Sequence, residues 1–294
     1  MLKIGIDLGG TKIEGIVLDE NGNELFRKRI ATESERGYNH ILHRIHKLYQ
    51  ELSASINNAE HTFGIGTPGS ISTRTGLLKN SNTVCLNGKP LKHDLEKMLG
   101  RKIAIQNDAN CFAMAEALYG AGRNKEMVFG VIMGTGCGGG IVYRGQVWNG
   151  LQGIGGEWGH SVMDLNGPPC YCGARGCIET FISGGGLQNR YFERYKERLS
   201  LPEIVKRYRQ GDRQAVEFMS DFFKKFGRAM ANLINILDPD IVILGGGVSN
   251  IDELYTEGVK EVEKCIFNDV LETPIVKNKL GDSAGVIGAA LIGC

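Results

Sequence analysis

The sequence predicts an α/β protein built as two lobes, and three observations carry that expectation. Segments rich in β-branched residues alternate with segments of helical apolar spacing along the chain, as α/β architectures require. A unit of strand, Gly-Thr turn and strand occurs twice, as IGIDLGGTKIEGIVLDENG and as FGVIMGTGCGGGIVYRGQ, one copy opening each half. Two unrelated hairpins would also produce such a pair, but two copies in matching positions favour duplication. The 294 residues suffice for roughly two domains with a sizeable core. The boundaries are expected to give a small lobe from 1–118 plus 284–294, and a large lobe from 119–283.

The first thirty residues read as three strands. LKIGIDL stops at Gly9-Gly10, TKIEGIVLD resumes with β-branched residues, and Asn21-Gly22 turns the chain into NELFRKRIA. Apolar positions at Ile41, Leu42, Ile45, Leu48, Tyr49 and Leu52 predict a helix over 38–56. A strand at 63–65 runs into Thr67-Pro68-Gly69 and a polar loop to about Leu91. A helix, a strand at 102–106 and a helix over 109–119 complete this half. The second half opens with MVFGVIMG, the turn GTGCGGG and IVYRGQV. Helices are then expected at 184–199, 202–208 and 214–237, and a strand at 240–244 ends in Gly245-Gly246-Gly247. A helix over 252–267, a strand at 274–277 and a small apolar helix over 284–293 finish the chain.

Charge narrows the function. With 34 basic and 33 acidic residues and no block of one sign, the chain lacks the basic footprint that nucleic acid or a membrane surface would demand. No apolar run is long enough to span a bilayer, and the start has no removable export signal. A reducing, cytoplasmic location is therefore expected, where clustered cysteines read as metal ligands. Cys85, Cys111, Cys137, Cys265 and Cys294 are dispersed and read as small apolar fillers.

Three glycine-rich turns follow strands: Asp7-Leu8-Gly9-Gly10-Thr11-Lys12, Gly134-Thr135-Gly136-Cys137-Gly138-Gly139-Gly140, and Gly245-Gly246-Gly247. Glycine lets successive backbone N–H groups converge on phosphate oxygens. Thr11 and Thr135 add hydroxyls, Lys12 a cation, and Asp7 a carboxylate able to hold magnesium through water. Neither the P-loop nor the dinucleotide fingerprint is present. Two matched turns pinching phosphates are the device of the actin-like ATPase and hexokinase (ribonuclease H-like) architecture, with its central cleft.

Asp108, in Gln106-Asn107-Asp108-Ala109-Asn110, lies where a strand gives way to a helix. Two readings stand: a helix N-cap, or an acid–base carboxylate projecting from the C-terminal end of a strand, where α/β ligand sites gather. The stretch 155–179 carries His160, Cys170, Cys172 and Cys177 between Glu157 and Glu179. Three thiolates and one imidazole suit a closed tetrahedral zinc site, and the flanking glutamates are left to face something else.

Together these motifs, DLGGTK, TPG, NDAN, GTGCGGG, GGEWGH, CYCGARGCIE, LDPDIVILGGG and GDSAGVIGAA, resemble the ROK family over the whole chain. The spacing His-x9-Cys-x-Cys-x4-Cys is its most specific part. GTPGSISTRTGLLKNSNT followed by LNGKPL looks most like the bacterial fructokinase (mannokinase) branch. The resemblance implies an ATP- and magnesium-dependent hexose kinase acting on the 6-hydroxyl, with fructose as the first substrate. N-acetylglucosamine, N-acetylmannosamine and glucose kinases are the alternatives. It implies that Asp108 is the catalytic base and that Asn82, Asn107, Glu157, His160 and Glu179 bind sugar hydroxyls. Gly69 opens the loop expected to form the discriminating wall. His160 would serve zinc through one ring nitrogen and sugar through the other, a reading that stands beside a purely structural role. A sugar-responsive regulator of the same family is disfavoured, since the first phosphate strand begins almost at Met1 and leaves no room for a helix-turn-helix. A homodimer is expected from the family alone.

Overall fold

A computed structural model describes residues 1–293; Cys294 lies outside the described residues. Packing divides the chain into two compact units. The first holds Met1–Asn124, Gly140–Gly155 and the chain from Leu280 onward; the second holds Lys125–Gly139 and Gly156–Lys279. The sequence gives no sign of the 140–155 excursion, which the expected boundaries leave in the large lobe.

In the first unit the strands are β1 (Leu2–Leu8), β2 (Lys12–Leu18), β3 (Glu24–Ala31), β4 (His61–Thr67), the short hairpin β5 (Ser70–Ile71) and β6 (Leu78–Lys79), and β7 (Ala104–Asn107). The helices are α1 (Tyr38–Ser55), α2 (Leu91–Leu99) and α3 (Asp108–Tyr119). The main sheet runs β3-β2-β1-β4-β7. β1 is antiparallel to β2 and parallel to β4, which is parallel to β7. One face of α1 buries Ile41, Leu42, Ile45, Leu48 and Leu52 against Ile4, Ile6, Val17 and Phe63 of the sheet. Each such side chain contributes about 1.5–3 kcal/mol of burial, which is why the helical spacing is legible in the sequence. The expected polar loop after Gly69 is more ordered than its composition suggests. It contains the β5–β6 hairpin and a 3-10 turn at Val84–Leu86, and the Asn87 side chain closes it by accepting from Ser81 N and donating to Ser81 O.

The chain continues through β8 (Met127–Met133), β9 (Cys137–Tyr143), β10 (Gln146–Val147), α4 (Glu179–Ile182), α5 (Gly184–Tyr195), α6 (Leu201–Arg209), α7 (Arg213–Leu237), β11 (Ile241–Gly245), α8 (Glu257–Glu263), β12 (Ile275–Lys277) and α9 (Ala284–Leu291). The second sheet runs β10-β9-β8-β11-β12. In each sheet the third, second, first, fourth and fifth main strands lie in that order, so the duplication read from two motifs extends to topology. The long helix α7 starts at Asp212, whose side chain accepts from Ala215 N at 2.9 Å, and buries Phe218, Phe222 and Phe226 along one stripe. In the first unit α9 lies directly on β1 and β4. A Cβ on Gly5 would sit 2.3 Å from Ala290 N, and one on Gly64 2.2 Å from Ala289 O.

Two expected elements change. The GTGCGGG turn ends at Gly136, because Cys137 to Gly140 already belong to β9. Its glycines mark close packing: a Cβ on Gly139 would meet the Trp158 ring at 2.5 Å, and one on Gly140 the Ala109 carbonyl at 2.5 Å. Gly138 is therefore a strand residue rather than part of the turn. The helix expected over 252–267 resolves into a 3-10 turn at Asp252–Tyr255 and the shorter α8. Beyond Val262 the apolar face is lost, and Phe267 is 94% exposed.

Candidate active site

The first unit assembles its expected groups at the C-terminal ends of three parallel strands. Register places Asp7 of β1 beside Gly66 of β4, and Thr67 of β4 beside Asn107 of β7. Asp7 on β1 and Asn107 and Asp108 at the end of β7 thus flank β4, whose Gly66 makes room for the Cys111 thiol: a Cβ there would lie 3.1 Å from Cys111 Sγ and 3.4 Å from Asp7 Oδ1. The carboxyl of Asp7 is partly buried, and a Cβ on Gly285 would lie 2.9 Å from its Oδ2. Burial raises Asp7 from the ordinary carboxylate value to about 7, with Asp108 and Glu14 adding like charge and Lys12 and Arg29 opposing them. The Cys111 thiol is pushed well up by burial and by the same pair, Asp7 and Asp108. Glu14, the β2 residue opposite Asp7, is buried and held by Arg27 at 2.9 Å and Arg29 at 2.8 Å.

The helix cap is not Asp108. Asn107 occupies the N-cap, its Oδ1 accepting from Asn110 N at 2.7 Å. Asp108 is the first helical residue, exposed, with Oδ1 accepting from Ala109 N at 2.9 Å. A carboxylate at that position lies in the favourable field of the α3 N-terminus. The capping role read from sequence as one option belongs to the neighbouring amide, whose Nδ2 has no hydrogen-bond partner among the described residues.

The turn between β1 and β2 is tight. Gly9 N donates to Lys12 O at 2.9 Å, and the buried Thr32 braces it by donating from Oγ1 to Gly9 O at 2.7 Å. Gly10, Thr11 and Lys12 are exposed on it. Thr83 Oγ1 would lie 3.5 Å from a Cβ on Gly10, so the segment carrying exposed Asn82 runs beside this turn. Gly69 serves the backbone: its φ is +81°, and a Cβ would meet Lys79 O at 2.3 Å.

The second unit builds a glycine-floored cavity of about 720 Å³. Gly134 and Thr135 after β8, Gly247 after β11, and Gly184 and Gly185 at the start of α5 line one end. Leu201, Pro202, Val205 and Ile251 form an apolar wall, with Lys206, Gln210 and Asn250 at its rim. The Ser183 hydroxyl caps α5 by accepting from Gly186 N, while Gly184 N and Gly185 N donate to Gly134 O and Thr135 O at 2.7 and 3.2 Å. Gly246 has φ +78°, and a Cβ there would strike Met133 O at 2.5 Å. Gly245 is the buried last residue of β11. Of the three expected glycines, Gly247 is the one on the cavity surface.

The four metal-site residues come together as expected. The ligand atoms of His160, Cys170, Cys172 and Cys177 all lie within 4.8 Å of one another. Cys172 and Cys177 sulfurs are 3.6 Å apart, and Cys170 Sγ is 3.6 Å from His160 Nδ1. Two sulfurs each about 2.3 Å from a tetrahedral zinc would be separated by about 3.8 Å, so the set fits that ion. Four protein donors would leave a bound ion no open position for substrate, the pattern of a structural rather than a catalytic zinc. His160 Nε2 is turned the other way, 3.0 Å from the Tyr171 hydroxyl. That hydroxyl is pushed up to about 12 by desolvation, then by Glu179 and Glu157, although the ring is exposed. Glu179 sits at the start of α4, and its Oε2 accepts from Cys137 N at 2.8 Å, tying the metal loop to the β8–β9 turn. Glu157 precedes the 3-10 turn Trp158–His160, and its carboxylate has no hydrogen-bond or ion-pair partner among the described residues.

Sequence reading missed the Ser183-Gly184-Gly185-Gly186 cap, although a serine ahead of three glycines at a helix start was a usable signal. It missed Tyr171 and Thr32, which nothing in the local sequence marks. The α6 wall of the cavity carries only an ordinary amphipathic pattern.

A family model described as the ROK family matches residues 3–293. The N-acetyl-D-glucosamine kinase of Pasteurella multocida is 36% identical over 302 residues, covering 99% of each chain. That of Photobacterium profundum is 37% identical over 298 residues, covering 98% of each. Among solved structures, a ROK hexokinase from Thermus thermophilus has a TM-score of 0.90 at 31% identity, covering 100% of this chain and 98% of that one. A ROK family glucokinase from Streptomyces griseus, in complex with glucose and AMPPNP, has a TM-score of 0.80 at 28% identity, covering 100% and 99%.

Proposed function

The chain belongs to the ROK family, and on that premise we propose that it is an ATP-dependent hexose kinase whose substrate is N-acetyl-D-glucosamine. The observation that carries the kinase reading is the cavity of about 720 Å³, with glycine backbone at one end and an apolar wall at the other. Backbone without side chains lets phosphates approach closely and a purine needs an apolar face, and the lining of this cavity offers both. The choice of sugar moves from fructose to N-acetyl-D-glucosamine because relatives of that name match essentially the whole chain at 36% and 37% identity. Glucose is the second reading, supported by the 28% identical glucokinase.

In this mechanism Asp108 accepts the proton of the 6-hydroxyl as its oxygen bonds to the γ-phosphorus of ATP. The bond from that phosphorus to the β–γ bridging oxygen breaks, and ADP leaves. Phosphoryl transfer is loose, so the proton moves late and an ordinary carboxylate suffices to orient the hydroxyl. Asn107 holds Asp108 at the helix start through its capping bond and offers Nδ2 to a sugar oxygen. Glu157 and Glu179 accept hydrogen bonds from vicinal hydroxyls, and the Gly9–Lys12 turn presents N–H groups and a cation to phosphate. Magnesium, when bound with ATP, neutralises phosphate charge, and Asp7 is the carboxylate suited to hold its waters. His160, Cys170, Cys172 and Cys177 would hold zinc, which would then fix the loop that carries Glu157 and Glu179.

Hexose-dependent release of ADP tests the reading. Wild-type protein should release ADP only with sugar present, and Asp108→Asn should bind sugar while losing turnover by orders of magnitude. Near-normal turnover in that variant would remove Asp108 from its role.

A further inference from the structure

The ring nitrogen that the kinase reading gives to the sugar already has a partner. With zinc on Nδ1, the imidazole proton would sit on Nε2. That N–H would then donate to the Tyr171 hydroxyl, which lies 3.0 Å away. A phenol oxygen in this place presents what a sugar hydroxyl would present: one acceptor oxygen and one proton of its own. Tyr171 is also poorly held. It lies between Cys170 and Cys172 on the loop, it is 75% exposed, and its one ring contact among the described residues is edge-on to His160 at 5.1 Å. Breaking the Nε2 bond releases the side chain to water without opening the core.

We propose that the Tyr171 hydroxyl stands in for a substrate hydroxyl on His160 Nε2 and is exchanged for it when the hexose binds, so that Tyr171 sets sugar affinity. The exchange rests on the reading of His160 as a sugar ligand. The sugar gains a hydrogen bond to His160 only by ending one the protein already has, and its net affinity is lowered by about the worth of one neutral hydrogen bond. The Tyr171 oxygen then marks where one hydroxyl of the bound sugar lies: about 3 Å from His160 Nε2. Because the residue is exposed and is not a ligand of the metal set, replacing it leaves the zinc loop intact.

Removal of the phenol oxygen in Tyr171→Phe tests this. Sugar affinity by calorimetry without nucleotide, and KM for the hexose, should both improve by about threefold to tenfold. Zinc content and KM for ATP should stay at wild-type values. The imidazole N–H proton resonance of His160 should shift in Tyr171→Phe before any sugar is added, and in wild type only on adding sugar. Unchanged or weaker sugar binding by zinc-replete Tyr171→Phe overturns the exchange, as does an N–H resonance indifferent to the substitution. A wild-type protein that binds no hexose at all overturns the kinase reading and the exchange with it.

Discussion

Replacing Asp7 with asparagine should make the ligand-free protein more stable while impairing its function. The Asp7 carboxyl is raised from 3.8 to about 7 by burial and by the Asp108 and Glu14 charges. A folded-state value above the unfolded one means that ionisation works against folding. The full stability is present below pH 3.8 and is lost as pH rises through about 7. At ~1.4 kcal/mol per pH unit the loss is ~2 kcal/mol at pH 5 and ~4 kcal/mol above pH 7. Asparagine keeps the shape and removes the charge, so the difference in stability between Asp7→Asn and wild type should grow over that interval. At ~2–4 °C per kcal/mol, the melting temperature of the variant should exceed that of wild type by about 8–16 °C at pH 8 and by about half as much at pH 5. Scanning calorimetry at pH 5, 6, 7 and 8, without magnesium or nucleotide, reads this directly. Parallel melting-temperature profiles for the two proteins would refute the placement of Asp7 as a buried carboxyl beside Asp108 and Glu14. Magnesium with ATP should shrink the difference, because a cation near Asp7 favours its ionised form.

The metal loop and the cavity floor give two further expectations. Cys172→Ala removes one of four donors, so zinc content measured by atomic emission should fall below one per chain, with thermal stability and sugar affinity falling together; full zinc occupancy would contradict the ligand set. Gly246→Ala forces a Cβ onto φ +78° and to 2.5 Å from Met133 O. It should cost about 1–3 kcal/mol of stability and weaken ATP more than sugar, as equilibrium titration of each ligand would show.

What could be read beforehand was whatever leaves a periodic or chemical mark. The α1 stripe from Ile41 to Leu52, the β-branched runs of β1 and β2, and the Phe218–Phe226 face of α7 each repeat at the spacing of their element. The His-x9-Cys-x-Cys-x4-Cys set was legible because metal chemistry restricts both residue type and spacing. Glycine was ambiguous. Gly9 and Gly134 stand in turns, whereas Gly139 and Gly140 are strand residues whose missing side chains admit Trp158 and Ala109, and composition does not separate these uses. Asp108 and Asn107 are both good capping residues, and only the backbone decides that Asn107 caps. Tyr171 was invisible for another reason: its partner His160 was already assigned, and a tyrosine between two cysteines has no periodicity to betray its direction. The segments 66–83 and 86–91 point to fructose, and the full-length similarity to N-acetyl-D-glucosamine kinases weighs against that reading.

The central claim is that this chain transfers the γ-phosphoryl group of ATP to N-acetyl-D-glucosamine. A coupled ADP-release assay comparing N-acetyl-D-glucosamine, N-acetyl-D-mannosamine, glucose, mannose and fructose measures it most directly. The account predicts the highest kcat/KM for N-acetyl-D-glucosamine, with the signal abolished in Asp108→Asn. A higher kcat/KM for fructose would return the substrate to the loop reading, and no sugar-dependent ADP release from zinc-replete protein would contradict the claim itself.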